Sequence, residues 1–142
     1  MMKEGMDDEV RYIEDILKGL SRNFYGRLIF AGIIDDKAKL MHFQKGESRF
    51  VLSISRQNAL DVQVSLILSL AKQFEDFAGP LDHVILSGKK YDLAVTEILP
   101  QLHLYVICTK GSAADILDMV ARVVEVGPHK SQELIEDEWS SY

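Results

Sequence analysis

Residues 79–110, GPLDHVILSGKKYDLAVTEILPQLHLYVICTK, predict three consecutive strands joined by two tight turns. Short runs of β-branched and aromatic residues alternate with Gly- and Pro-containing breaks, which is typical of an antiparallel meander. The predicted strands are His83–Ser87, Tyr91–Ile98 and Leu102–Thr109. The last of these is largely apolar on both faces, so it belongs in the middle of its sheet.

An earlier strand, Leu28–Ile34, is also apolar on both faces. Alternation places Leu28, Phe30 and Ile34 on one face and Ile29, Ala31 and Ile33 on the other. Residues 35–37 predict a turn, and Lys39–Gln44 has the mixed polarity of a strand near an edge. Strands joined by hairpins are usually neighbours. Placing the two doubly apolar strands side by side therefore gives a five-stranded antiparallel sheet in the order 2-1-5-4-3.

Three helices are predicted around this sheet. The first begins at Asp7 or Asp8 and ends near Leu20, the second spans Ala59–Ala78, and the third begins after Ser112. Ser112 and Asp115 come close to a capping box. The element order is helix, two strands, helix, three strands, helix. We expect helices on both faces and assign the class as α/β, of the α+β type.

The expected domain organisation is simple, because 142 residues are enough for one domain. Residues 1–7 are predicted to be a flexible N-terminus, 8–126 the folded domain, and 127–142 an acidic tail. Residues 45–56 are compatible with a loop, an additional strand or an extended arm. The N-terminal segment lacks an apolar signal region, and no apolar run approaches the roughly 20 residues of a membrane span. These features predict a cytoplasmic protein.

The middle helix has more apolar surface than one packing contact needs. At about 100° per residue, one stripe is formed by Ala59, Leu66, Leu70, Phe74 and Phe77. We predict that this stripe faces the sheet. Val64, Leu68 and Ala71 extend the apolar surface further, while Asp61, Ser65, Ser69, Lys72 and Asp76 mark the polar face. A surface helix normally shows a single stripe, so the excess predicts contact with a second protein subunit.

The sequence contains no catalytic, metal or cofactor pattern. Its four histidines lack metal-ligand spacing among themselves or with Cys108. The single cysteine lies in an apolar run and is predicted to be a buried small hydrophobe. A net charge of −6 without a basic cluster disfavours nucleic acid and anionic membranes as partners. We therefore expect no enzyme activity and no cofactor.

The element order, the apolar middle helix and the three-strand segment 79–110 together resemble the roadblock/LC7 domain of the profilin-like group, over roughly residues 8–126. The resemblance implies a non-enzymatic dimeric scaffold or regulator, often one that acts on small GTPases. It also implies that dimers form through the middle helix and the edge of the third strand. The interface predicted in this way contains Leu60, Val64, Ile67, Leu68, Ala71, Glu75, His83, Ile85 and Ser87.

A ligand-sensing domain of the PAS or GAF type is the alternative. In this hypothesis the sheet and a helix enclose a small-molecule pocket lined by Gly32, His103 and Tyr105. It requires an apolar cavity on the order of 300 Å³ or more at that place.

Overall fold

The computed structural model describes residues 2–37, 39–45 and 54–128. The acidic tail from residue 129 onward and most of the 45–56 stretch lie outside the described residues. The elements are α1 (Met2–Asn23), β1 (Leu28–Ile34), β2 (Leu40–Lys45), α2 (Ile54–Ala78), β3 (His83–Ser87), β4 (Tyr91–Leu99), β5 (Leu102–Thr109) and α3 (Ala113–Val126). Both α1 and α2 begin about five residues earlier than predicted. The proposed division into terminus, domain and tail remains a prediction.

The sheet has the order β2-β1-β5-β4-β3. All four strand pairings are antiparallel. The predicted α/β class is therefore wrong, because no helix connects parallel strands within the described residues; the fold is α+β. Fully buried apolar side chains come from the inner strands β1, β4 and β5, and none of the β3 side chains is fully buried.

One face of the sheet carries α1 and α3 and the larger apolar core. Its residues include Tyr12, Ile16, Leu20, Leu28, Ala31, Ile33, Leu104, Val106, Ile116, Met119 and Val120. The Tyr12 hydroxyl donates to the Ile98 carbonyl oxygen at 3.2 Å, which links α1 to β4. Burial raises the pKa of Tyr12 to about 12.

The opposite face carries α2 and a smaller core, formed by Phe30, Ile34, Val64, Val95 and Tyr105. The predicted alternation along β1 is wrong for Leu28, which lies with Ala31 and Ile33 on the face of α1 and α3. The reason is a register shift between Leu28 and Phe30 in the β1–β5 ladder. A bulge of one residue moves the preceding side chain to the other face.

Asp92 at the start of β4 joins the end of β3 to the turn between β5 and α3. Its buried carboxylate accepts the Ser87 hydroxyl at 2.7 Å and the Gly111 amide at 2.8 Å. Both hydrogen bonds lower the pKa of Asp92, and the bond from Ser87 has the larger effect. The end of β3 is thereby held next to the turn that precedes α3.

Arg27 holds the first turn of α3. Its Nε donates to the Ser112 hydroxyl at 2.9 Å, its Nη2 lies 2.7 Å from the Asp115 carboxylate, and its guanidinium lies 5.2 Å from the centre of the Phe24 ring. The predicted capping box is absent, since the Ser112 side chain makes no capping hydrogen bond. Arg27 engages both residues of the expected box instead.

We expect Arg27→Met to lower the free energy of unfolding by about 1 kcal/mol, because the lost polar contacts are partly solvent-screened. Urea denaturation measures the change. Arg122→Met is the matched control: it removes a local pair with Asp118 at 3.3 Å, so a loss of only about 0.3–0.5 kcal/mol is expected. Equal losses in the two variants would contradict the assigned role of Arg27.

Candidate interaction surface

The helix α2 contacts its own sheet through one narrow face. Val64 is fully buried, and Leu60 and Leu68 are partly buried against the same cluster. The helix ends where Gly79 adopts φ +81° and its amide donates to the Glu75 carbonyl oxygen at 2.8 Å. A positive φ suits glycine, and Pro80 follows, so the helix stops sharply.

A polar contact lies inside this narrow face. Asp61 is buried, and its carboxylate accepts the hydroxyl of Tyr105 at 2.7 Å. Burial raises the pKa of Asp61, while the bond from Tyr105 acts in the opposite direction. The pKa of Tyr105 is raised strongly by burial and by this carboxylate. The bond joins α2 to the central strand β5.

Gly32 makes room for Tyr105. A Cβ atom on Gly32 would lie 2.6 Å from Cζ and 2.8 Å from the hydroxyl oxygen of Tyr105. The Tyr105 ring also stacks on Phe30, with ring centres 5.9 Å apart. The aromatic ring thus occupies the space that a side chain at position 32 would need.

The outer face of α2 is strongly apolar. Four large side chains at successive turns are exposed: Leu66 (60%), Leu70 (67%), Phe74 (59%) and Phe77 (89%). Val62 is also exposed, and the rings of Phe74 and Phe77 are 6.4 Å apart. We call Leu66, Leu70, Phe74 and Phe77 the outer face. Its exposure is unusual for single protomers, which rarely leave contiguous apolar surface uncovered.

The edge strand β3 is the second exposed feature. It is the last strand of the sheet, so one of its backbone edges points away from the sheet. Ile85 and Leu86 are exposed on its two sides. Edge strands are usually protected by charge, proline or a covering element. The strand β3 has the sequence HVILS, which contains no proline and no Lys, Arg, Asp or Glu.

Solved structures with this arrangement are similar to the chain over most of its length. A roadblock/LC7 domain from Streptomyces avermitilis has a TM-score of 0.62 at 15% identity, covering 78% of this chain and 90% of that domain. MglB with a tetrameric arrangement has a TM-score of 0.62 at 14% identity, covering 84% and 90%. The gliding protein MglB from Thermus thermophilus has a TM-score of 0.61 at 12% identity, covering 87% and 90%.

The chain has the roadblock/LC7 fold. The resemblance inferred from the sequence is confirmed at the level of the fold. No protein-family model matches the chain, and no curated protein matches it. The similarity is therefore one of structure at low sequence identity.

Within the roadblock/LC7 fold, the predicted orientation of α2 is wrong. The stripe expected to face the sheet is the outer face, and Val64, predicted to lie in a dimer interface, is buried beneath its own protomer. Asp61, assigned to the polar face, is buried as well. Both faces of the helix are apolar, and the helical wheel does not say which of them meets the sheet.

The other predicted interface residues lie around the α2–β3 boundary of the roadblock/LC7 fold. Leu60, Ile67, Leu68, Ala71 and Glu75 are partly buried, and His83, Ile85 and Ser87 are exposed on β3. The structure brings Leu68, Ala71, Glu75 and His83 together along a groove of about 210 Å³. Their role in an interface remains a prediction.

The site expected for a sensing pocket is filled. Tyr105 is fully buried and its ring packs against Gly32 and Phe30. His103 is partly buried, and burial lowers its pKa from the usual value. A filled core at this position argues against the PAS- or GAF-type alternative, which requires a cavity there.

No metal or reactive thiol site is found in the described part of the chain. Within residues 2–37, 39–45 and 54–128, no three or more His, Cys, Asp or Glu side chains are grouped as metal ligands. Cys108 is fully buried, as predicted, and burial raises its thiol pKa to about 11. A thiol in this state is a poor nucleophile. Among the same residues, no helix is both long and apolar enough to span a bilayer.

Proposed function

We propose that this protein is a non-enzymatic interaction module that self-associates through the outer face of α2 and the β3 edge. We further propose that the assembly binds or regulates a partner protein, with a small GTPase as the candidate class. The observation that carries the proposal is the exposure of the four large apolar side chains of the outer face.

The energetics favour an interface that uses both features. Burying the four outer-face side chains contributes roughly 6 kcal/mol per protomer at about 1.5 kcal/mol each, or roughly 12 kcal/mol for the two protomers of a dimer. Association costs an estimated 4–15 kcal/mol or more in lost freedom, so the helix alone gives marginal binding. Antiparallel pairing of two β3 edges adds backbone hydrogen bonds of about 1 kcal/mol each. The helix and the strand edge together can therefore sustain a stable dimer.

The similar structures support the proposal. One of them is MglB in a tetrameric arrangement, so this fold is compatible with assembly through its surfaces. The resemblance of the sequence to roadblock/LC7 domains makes a small GTPase the first partner class to test. Capture of purified GTPases in their GDP- and GTP-bound states by the immobilised full chain is the direct assay.

We expect Leu70→Glu to weaken self-association by about tenfold or more, because a carboxylate at the centre of the outer face would be desolvated without a partner. Sedimentation equilibrium over a range of micromolar concentrations measures the dissociation constant. Ser69→Glu is the matched control: it adds the same charge to the adjacent position on the polar side of α2, where Ser69 is exposed. Its dissociation constant is expected to stay near that of the unmodified chain.

Two results would overturn the proposal. The first is a monomeric mass for the unmodified chain throughout the concentration range. The second is a dimer that tolerates Leu70→Glu as well as it tolerates Ser69→Glu, since the interface would then lie elsewhere.

A further inference from the structure

A second groove, of about 720 Å³, lies on the sheet face opposite α2, between α3 and the β3 edge. Its lining contains both apolar residues and carboxylates. The lining residues include Asp82, Ile85, Glu97, Asp118, Ala121 and Glu125. We call this feature the α3–β3 groove.

The groove follows from the widths of the elements. Neighbouring strands lie about 4.8 Å apart, so five strands span roughly 20–24 Å. A helix is about 10 Å wide, and two helices therefore cover about four strands. On this face α1 packs over β1 and β2, and α3 packs over β4 and β5. The strand β3 is left uncovered, and Ile85 is exposed at 40%.

The α3 wall of the groove has a regular pattern. Ala114, Asp118, Ala121 and Glu125 follow one another at spacings of four, three and four residues, so they lie on one side of the helix. The small alanines allow a second backbone to approach closely. Each carboxylate lies about one helical turn from an alanine on this side of the helix.

The carboxylates give the lining of the groove a negative charge. Four carboxylates line it, those of Asp82, Glu97, Asp118 and Glu125; none of its described lining residues is Lys or Arg, although Arg122 beside the groove pairs with Asp118 at 3.3 Å. The imidazole of His83 is the other ionisable group. A bound segment that placed Lys or Arg opposite these carboxylates would complement the groove.

We propose that the α3–β3 groove binds a basic amphipathic helix of a partner protein. A helix of about 11–12 residues matches the roughly 17 Å length of β3. Its apolar face would cover Ile85 and the alanines of α3, and Lys or Arg on its flanks would face the carboxylates. The chain's own tail is a poorer match, because Glu133, Glu136, Asp137 and Glu138 repeat the charge of the groove.

The test uses two synthetic fluorescein-labelled peptides of about 12 residues. One has Leu and Ala along one helical face and Lys on both flanks; its twin has Glu in place of every Lys. Fluorescence anisotropy with the full chain is expected to show binding of the Lys peptide, weakened by salt, and no binding of the Glu peptide. Equal binding of both peptides would overturn the proposal.

Variants locate the binding site. The double variant Asp82→Lys with Glu125→Lys is expected to weaken binding of the Lys peptide by about tenfold or more. Glu14→Lys with Asp36→Lys makes the same change in net charge at exposed positions outside the groove, and is expected to weaken it far less. Equal weakening in both double variants would mean that the peptide follows net charge, and the proposal would fail.

A steric pair of variants is independent of charge. Ala121→Trp fills the groove from its α3 wall and is expected to block the Lys peptide. Val126→Trp places the same ring at an exposed α3 position outside the lining without changing the charge and is expected to leave binding intact. Far-ultraviolet circular dichroism and thermal melts establish that the variants are folded.

Two further measurements separate this proposal from its rivals. Deleting residues 129–142 should leave the affinity for the Lys peptide near its original value; a large gain on deletion would identify the tail as the occupant and overturn the proposal. The Leu70→Glu chain should still bind the Lys peptide, because the groove lies within one protomer. Failure of self-association is therefore distinguishable from failure of the groove.

Discussion

Replacement of Gly32 by alanine is expected to lower the free energy of unfolding by about 3 kcal/mol. The new Cβ would lie 2.6 Å from Cζ of Tyr105 and 2.7 Å from its Cε1, closer than carbon atoms can approach. A surface tyrosine could swing away. Tyr105 cannot do so freely, because it is fully buried, stacks on Phe30 and donates to Asp61.

Several contributions make up this value. Overpacking a core costs about 1–3 kcal/mol, and weakening a hydrogen bond to a carboxylate costs about 1.5–3 kcal/mol. Alanine recovers about 0.5–1 kcal/mol relative to glycine in a strand. Urea denaturation of Gly32→Ala measures the net change in the free energy of unfolding. Gly26→Ala is the matched control, since a Cβ there meets no atom within 4 Å; a comparable loss in that variant would remove the steric explanation.

The strands could be predicted from the sequence because their signals are local. The predicted Leu28–Ile34 and Leu102–Thr109 strands coincide with β1 and β5, whose apolar runs are bounded by turn residues. The bulge that displaces Leu28 could not be predicted, because it depends on the register with β5. A register is a relation between two segments, and the hydrophobic pattern of one segment does not contain it.

The orientation of α2 could not be predicted for a different reason. The outer face is more apolar than the face that packs on the sheet, so ranking stripes by hydrophobicity selects the wrong one. The buried face is determined by shape instead: Gly32 leaves space, Tyr105 fills it, and Asp61 on α2 accepts its hydroxyl. These three residues lie far apart in the sequence. The sequence signal available on the buried face was Asp61, one helical turn before Val64. A charged residue normally indicates a solvent-facing side, so this signal favoured the wrong orientation.

The second large effect is expected from Tyr105→Phe, which should lower the free energy of unfolding at pH 7 by about 2 kcal/mol. The substitution keeps the ring and its stacking on Phe30 and removes only the hydroxyl. The carboxylate of Asp61 then loses a donor at 2.7 Å while it remains buried. Urea denaturation at pH 7 measures the loss, and Tyr25→Phe at an exposed tyrosine is the control.

The pH dependence of this loss follows from the direction of the Asp61 shift. Burial raises the folded-state pKa of Asp61 above its usual value of 3.8, and the bond from Tyr105 limits the rise. A raised pKa means that the folded state binds the proton more tightly than the unfolded state. The contribution of Asp61 is therefore most favourable below about pH 3.8 and becomes unfavourable as the pH rises through its folded pKa. Without the Tyr105 donor the rise is larger, so Tyr105→Phe should cost more at pH 7 than at pH 4.

A double-mutant cycle with Asp61→Asn tests whether the carboxylate is responsible. Asparagine keeps an acceptor for the Tyr105 hydroxyl and removes the titrating group. Asp61→Asn should therefore be at least as stable as the original chain at pH 7, and this advantage should disappear at low pH. Asp76→Asn on the exposed side of α2 is the control. In the Asp61→Asn background, Tyr105→Phe should cost only about 1 kcal/mol at any pH.

The same double-mutant cycle tests whether the Asp61–Tyr105 bond in the core also positions the outer face of α2. Few side chains fix α2 on the sheet, so weakening the Asp61–Tyr105 bond should let the helix shift and displace Leu66, Leu70, Phe74 and Phe77. Tyr105→Phe is then expected to weaken self-association as well as folding, most strongly at neutral pH. Adding Asp61→Asn should restore part of both, because it removes the unpaired buried charge without restoring the hydrogen bond. If sedimentation showed unchanged self-association in a destabilised Tyr105→Phe chain, the outer face would be positioned independently of this bond.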